Sequence, residues 1–318
     1  MGHGKYRDCL PQLNNVRLLT DGGIETTLIF DEGLQLPYFA AFTLLGDKEG
    51  RRALYRYYER YCEVARARQT GFVLDSATWR ASADWGQKLG YTRTDLDEAN
   101  RNAVALLFEL RKEFELDQPF VISGNIGPRG DGYVAETVMT AGEAEDYHYP
   151  QVASFDAAGV DMVSAITMTH AGEAAGIAQA CARRNLPLAL SFTVETDGRL
   201  PSGQQLSDAI LEVDSVISRR PAYYMINCAH PDHFRDVIEP GAYWSLRIAG
   251  LRANASRLSH AELDEAEELD DGSATELAED YANLLTRLPN LRVFGGCCGT
   301  NHNHVDAIAG ACLVAETA

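Results

Sequence analysis

Short, nearly continuous apolar stretches alternate along the chain with longer ones in which apolar residues recur every three or four positions. The first kind reads as buried parallel strands and the second as amphipathic helices. The predicted strands are VRLLTDGG (16–23), FVLDSATW (72–79), PFVISGNIGP (119–128), VDMVSAIT (160–167), LPLALSFTVE (186–195), AYYMINCAHP (222–231), WSLRIAGLRAN (244–254) and LRVFGGCCGT (291–300). Helices are predicted at 54–71, 95–114, 141–159, 172–185, 206–219, 231–241 and 273–288. Gly71 and Gly159 close their helices as C-terminal caps.

This alternation predicts a (β/α)8 TIM barrel, with an open doubly wound sheet as the alternative. A length of 318 residues suits one domain over 1–318. In a barrel the reactive groups collect where strands end at their C-terminal side. Standing there are Asp21-Gly22-Gly23, Thr78-Trp79-Arg80, Asn125, Thr167, Glu195, Asn227-Cys228, Asn254 and Cys297-Cys298.

Hydrophobic residues make up 46% of the chain, enough for a sizeable core. Acidic residues outnumber basic ones 46 to 28, a net charge of −18, which disfavours nucleic acid and anionic membranes as partners and leans toward cationic small molecules. No run of about 18 apolar residues is present to span a bilayer. The opening MGHGKYRDCLPQLNN lacks an apolar signal core, so a cytoplasmic protein is expected. The acidic run HAELDEAEELDDG (260–272) reads as a solvated loop or helix face.

There are seven cysteines, at 9, 62, 181, 228, 297, 298 and 312, an odd and scattered set that fits a reducing compartment. Cys62, Cys181 and Cys312 lie in alanine-rich helical surroundings and read as small apolar fillers. Cys297 and Cys298 are adjacent, within FGGCCGTNHNH (294–304). Neighbours in a regular strand point to opposite faces, so both thiols can meet one metal ion only if the backbone leaves strand geometry. Gly295, Gly296 and Gly299 permit that departure. Cys228 supplies a third sulfur, whereas a buried pair or a vicinal disulfide remains the alternative. His302 and His304 read as the start of the last helix. Three thiolates on zinc leave a net negative centre, poorly suited to activating water and well suited to holding a substrate thiol deprotonated.

At these residues the chain resembles the zinc-dependent homocysteine S-methyltransferase family. The likeness runs through TDGGIETTL (20–28), SGNIGPRGDGY (123–133), SFTVETDGRLPSGQQL (191–206), INCAHP (226–231) and GGCCGT (295–300). It implies the barrel fold, zinc (Zn2+) on Cys228, Cys297 and Cys298, a small-molecule thiol acceptor, and an onium methyl donor of the S-methylmethionine, sulfonium or betaine type. The nearest assignment is homocysteine to methionine. The resemblance further implies that the Asp21-Gly22-Gly23 loop holds the amino-acid end of the acceptor. Asp21 would face its ammonium, and the N–H groups of Gly22 and Gly23 its carboxylate. Thr167 joins the substrate contacts, and Asn227 orients the cysteine loop or a substrate group. Trp79 is positioned to stack on the onium, and Arg80 to bind a carboxylate or pair with Asp84. A homo-oligomer is left open.

One departure stands out. The family glutamate that binds the acceptor ammonium is replaced by Ile166 in DMVSAITMTH (161–170). Either another acid substitutes (Glu25, Asp75 and Glu195 are candidates), or the acceptor is a different thiol or selenol. A non-catalytic zinc barrel serving as sensor or scaffold, and a metal-free barrel with structural cysteines, are the rival readings.

Overall fold

Eight parallel strands close on themselves in the order β1 to β8 in a computed structural model that describes residues 4–115, 117–135, 138–266 and 268–313. They are β1 Leu18–Leu19, β2 Gly71–Asp75, β3 Phe120–Ile126, β4 Met162–Met168, β5 Leu188–Phe192, β6 Tyr223–Asn227, β7 Ile248–Ala253 and β8 Val293–Gly296. Leu18 closes the ring, pairing with Gly71 on one side and Val293 on the other. The barrel expectation is met and the open sheet is excluded.

Two apolar layers explain why these runs read as nearly continuous. Leu18, Val73, Val121, Met162, Ile166, Ala189, Tyr223, Met225 and Val293 fill the barrel interior. Alternate residues such as Leu19, Leu74, Ile122, Val163, Leu190, Ile226 and Phe294 pack outward under the helices. Strands buried on both faces have no polar side to interrupt them. The principal helices are α1 Lys48–Ala67, α2 Arg93–Phe114, α3 Ala141–Ala158, α4 Ala171–Arg183, α5 Leu206–Val216, α6 Pro231–Phe234, α7 Ala274–Leu284 and α8 His302–Cys312. Capping boxes start α2 (Thr92 with Asp95) and α3 (Thr140 with Glu143), which satisfies amides that the first helical turn leaves free. None of the described helices is long and apolar enough to cross a membrane.

Several sequence-based boundaries shift. Gly159 does cap α3, at φ 84°, but Gly71 opens β2, and Gln69, at φ 53°, makes the left-handed turn out of α1. The first strand shrinks to two residues because Asp21–Gly23 leave the barrel for the site. The helix expected at 231–241 is the single turn α6, and Trp244–Leu246, read as the start of a strand, belong to the helical turn Tyr243–Leu246. Helical segments of only four residues are too short for a 3.6-residue period to show itself, so periodicity alone could not mark them off.

Candidate metal centre and acceptor site

The three cysteines come together at the C-terminal mouth of the barrel. Cys228 Sγ lies 3.0 Å from Cys297 Sγ and 3.6 Å from Cys298 Sγ, and all three sulfurs fall within 4.8 Å of one another. Sulfurs bound tetrahedrally to zinc at about 2.3 Å stand about 3.8 Å apart, so this donor set fits the ion with small adjustments. No disulfide joins any of the three in this structure. Cys228 sits just past β6 in the left-handed region, at φ 56°, which turns its side chain back over the barrel mouth. Gly299 supplies the other left-handed turn, at φ 77°. Gly295 and Gly296 serve differently from expectation. They lie within β8, and a Cβ on Gly296 would stand 2.0 Å from Thr300 Oγ1, so close approach is what demands glycine there. Thr300 then closes the loop by donating its hydroxyl to the Cys297 carbonyl at 2.7 Å. Hydrogen bonding with Cys228 and Cys298 holds the Cys297 thiol well below its ordinary pKa, and the nearby Arg252 guanidinium adds to this.

Arg252, at the end of β7, is buried and forms the electrostatic hub of this end of the barrel. It donates to Asp21 Oδ1 at 2.6 Å and Asp75 Oδ2 at 2.7 Å, and its Nε reaches the Gly296 carbonyl at 3.2 Å. Tyr57 completes the cage by donating its hydroxyl to Asp21 Oδ2 at 2.9 Å. Both carboxylate oxygens of Asp21, the residue expected to face the acceptor's ammonium, thus have a partner within the cage, Arg252 on one and Tyr57 on the other. Asp75 gives only Oδ2 to Arg252, and its buried Oδ1 has no hydrogen-bond partner. The Gly23 N–H, expected to meet the acceptor's carboxylate, donates to the Thr300 carbonyl at 3.0 Å. Gly22 and Gly23 are buried tight, a Cβ meeting Thr300 O at 2.7 Å on the first and Cys297 O at 2.6 Å on the second. Their smallness lets the first loop lie against the cysteine loop.

Asn227 orients this end, as one of its two expected roles required. Its Oδ1 accepts the Thr167 N–H at 2.8 Å and the Ser191 hydroxyl at 2.6 Å. Its Nδ2 donates to Thr167 Oγ1 at 2.9 Å and lies 3.9 Å from Cys297 Sγ. One side chain thus ties β4, β5 and β6 to the cysteine loop. Thr167 meets it by adopting φ 64°, unfavourable for a β-branched residue, at a register shift between β4 and β5. Asn227 engages both its N–H and its hydroxyl oxygen.

Around this floor, Ile166 points into the barrel interior and packs in the cluster that Trp79 covers. The wall where a glutamate was expected is therefore apolar. Trp79 already has a cation on its ring: the Arg80 guanidinium lies 4.0 Å from its centroid and 3.7 Å from that of Trp85. Arg80 donates to the Gly130 carbonyl at 2.8 Å, its buried Nε has no hydrogen-bond partner, and its expected ion pair with Asp84 goes instead to Arg129. Glu195 hydrogen-bonds His260 at 2.9 Å. Glu25, on the short helical turn Ile24–Thr26, is partly buried. Burial pushes its carboxyl up to about 8, and the negative charges of Cys297 and Asp21 act in the same direction.

Two residues were missed in the sequence. Tyr133 Oη stands 3.4 Å from Cys298 Sγ and 3.5 Å from Cys228 Sγ. His260, assigned to a solvated acidic run, is buried and stacks on Tyr133 at 4.1 Å, with its Nε2 donating to the Cys228 carbonyl at 2.7 Å. The only available sign was a lone histidine opening an acidic segment. A second acid–histidine group, His230, Asp232 and Asp280, is balanced by Arg235 and Arg257 and forms an ion-pair network.

Residues 18–312 match the family model described as Homocysteine S-methyltransferase. Homocysteine S-methyltransferase 4 of Zea mays is 23% identical over 265 residues, which span 77% of this chain and 76% of that protein. The oxidized form of the homocysteine methyltransferase MmuM from Escherichia coli shares the fold with a TM-score of 0.74 at 17% identity, over 95% of this chain and 98% of that one. Its metallated form gives 0.69 at 16% identity over the same shares.

Proposed function

The chain belongs to the homocysteine S-methyltransferase family, and on that premise we propose that it is a zinc-dependent methyltransferase moving a methyl group from a small onium donor to a thiol, homocysteine being the nearest acceptor. The observation that carries this reading is the convergence of Cys228, Cys297 and Cys298 at the barrel mouth, with sulfur spacings that fit one tetrahedral ion. Zinc held there supplies a preference for the acceptor sulfur as thiolate near neutral pH. The protein's own groups do the rest. Arg252 fixes Asp21, Asp75 and the Gly296 carbonyl, and so the two loops that flank the centre. Asn227 holds Cys297 in place from β6. The acceptor sulfur attacks the methyl carbon in line with the bond to the donor, the S–C bond forms as the onium bond breaks, and the donor leaves neutral. No separate general base is required once the thiol has lost its proton. Alignment and exclusion of water supply the rate.

Glu25 is the acid we assign to the acceptor's ammonium in place of Ile166. Asp21 and Asp75 are held by Arg252 and Glu195 by His260, whereas no ion pair involves Glu25 among the described residues. An amino acid whose ammonium entered without a counter-charge would lose on the order of several kcal/mol of binding.

The test is methyl transfer from S-methylmethionine, betaine and related onium donors to homocysteine in the zinc-loaded enzyme, followed by mass spectrometry of methionine. Methionine from at least one donor supports the assignment. Homocysteine that binds calorimetrically with release of protons, yet accepts no methyl group from the whole panel, favours a sensor or scaffold. Failure of homocysteine to bind the zinc-loaded protein, with other thiols binding, moves the acceptor to a thiol or selenol without that ammonium.

A further inference from the structure

We propose that Asn125 is a specificity-determining residue, its side-chain amide receiving the ammonium of the thiol acceptor at the barrel mouth. The inference rests on the reading that the acceptor is an amino-acid thiol. β3 and β4 run side by side, and the Ser123 and Ser164 hydroxyls meet across their inner faces at 2.8 Å. Two residues further along each strand, the same face carries Asn125 and Ile166. The two serines are sealed, at 0% and 1% exposure, whereas Asn125 and Ile166 both keep 7%. They therefore form the last inward-facing layer of this wall before the mouth, the layer against which a ligand would rest.

The Asn125 backbone is held on both sides. Its N–H donates to the Ser76 hydroxyl at 2.9 Å, and its carbonyl accepts from the Thr78 hydroxyl at 2.7 Å. The side chain is left over: Oδ1 is buried and accepts no hydrogen bond among the described residues. A buried acceptor without a partner is costly, and native chains keep few of them. Ile166 beside it offers nothing to pair with. An amide oxygen takes only a donor. On an amino-acid thiol the sulfur goes to the metal and the carboxylate only accepts, so the ammonium is the donor left for this oxygen. A neutral oxygen does not offset a buried charge. That task falls to Glu25, while Asn125 sets the direction in which the ammonium points. A thiol without the ammonium leaves Oδ1 unpaired, and a site with such an unmatched group discriminates against that ligand.

Calorimetry on the zinc-loaded proteins compares homocysteine with 4-mercaptobutyrate, which lacks the amino group, in wild type, Asn125→Ala and Asn125→Asp. Wild type should bind homocysteine the more tightly. Asn125→Ala should lose about ten-fold or more of that preference, through weaker homocysteine binding with 4-mercaptobutyrate unchanged. Asn125→Asp keeps the shape and the accepting oxygen and should retain the preference. An unchanged preference in Asn125→Ala, equal losses for the two thiols, or a preference lost equally in both variants overturns the role of Asn125 while leaving the homocysteine reading standing. Failure of homocysteine to bind the zinc-loaded wild type, with 4-mercaptobutyrate binding, overturns that reading and this inference with it.

Discussion

Replacing Arg252 with Gln removes the cation that two buried acids share. Arg252 and both partners are almost wholly buried, with side chains 3–4% exposed, and the two charge-assisted contacts are 2.6 Å and 2.7 Å long. Breaking a buried ion pair by deleting one partner costs about 3–5 kcal/mol. The second acid does not double this, because the stranded carboxyls can take up protons. For a chain of this size about 2 °C of melting temperature goes with each kcal/mol, so a fall of roughly 6–10 °C is expected in the metal-free protein. The loss should depend on pH with a definite sign. Burial already holds the Asp75 carboxyl above its usual range with Arg252 present. Without Arg252 the Asp75 carboxyl moves further above its unfolded value near 3.9, so stability is lost as pH rises from about 4 toward its raised folded value. The deficit of Arg252→Gln against wild type should therefore be larger at pH 8 than at pH 5, measured by urea and thermal unfolding. A deficit under about 1 kcal/mol, or one that grows on acidification, would refute the clamp.

Other expected outcomes follow from the same contacts. Asn227→Ala strands the Thr167 N–H and the Ser191 hydroxyl, at about 1–3 kcal/mol for each buried group left unpaired, and should weaken zinc by about 10–100-fold in a chelator competition. Glu25→Gln should erase the preference for homocysteine over its des-amino analogue in calorimetric binding, with affinity for the analogue unchanged. Because Glu25 is raised from 4.5 to about 8 in the folded chain, its ionisation destabilises progressively across that window. Glu25→Gln should accordingly gain melting temperature over wild type at pH 8.5 and little at pH 5. Cys298→Ala should lose zinc and the stabilisation that zinc gives on thermal melting, whereas Cys9→Ala, at an exposed position away from the mouth, should change neither.

The barrel was legible because strands buried on both faces and amphipathic helices have different periods, and the cysteine trio because an adjacent thiol pair among glycines has few uses. Charge pairing was hidden. Asp21, Asp75 and Arg252 come from the ends of β1, β2 and β7, and no local pattern says that one arginine will neutralise both acids. Asp21 thus read as a substrate contact, and nothing local announced its ties to Arg252 and Tyr57. Trp79 looked free to receive a cation, yet Arg80 beside it in sequence already occupies its ring. Tyr133 and His260 escaped because their relation is wholly tertiary, a loop after β3 meeting a segment after β7. Gly71 was misread as a cap because a glycine between helix and strand serves either element, and its Cβ position, 2.4 Å from the Pro119 carbonyl, shows that strand packing chose it.

The central claim is a zinc centre of three cysteines with one place for the acceptor sulfur. Zinc K-edge X-ray absorption on the purified protein, before and after addition of homocysteine, tests it directly. The account predicts three sulfurs at about 2.3 Å with one lighter ligand, becoming four sulfurs once homocysteine is added. A protein that binds no zinc, or a sulfur count that stays at three with homocysteine saturating, would contradict it.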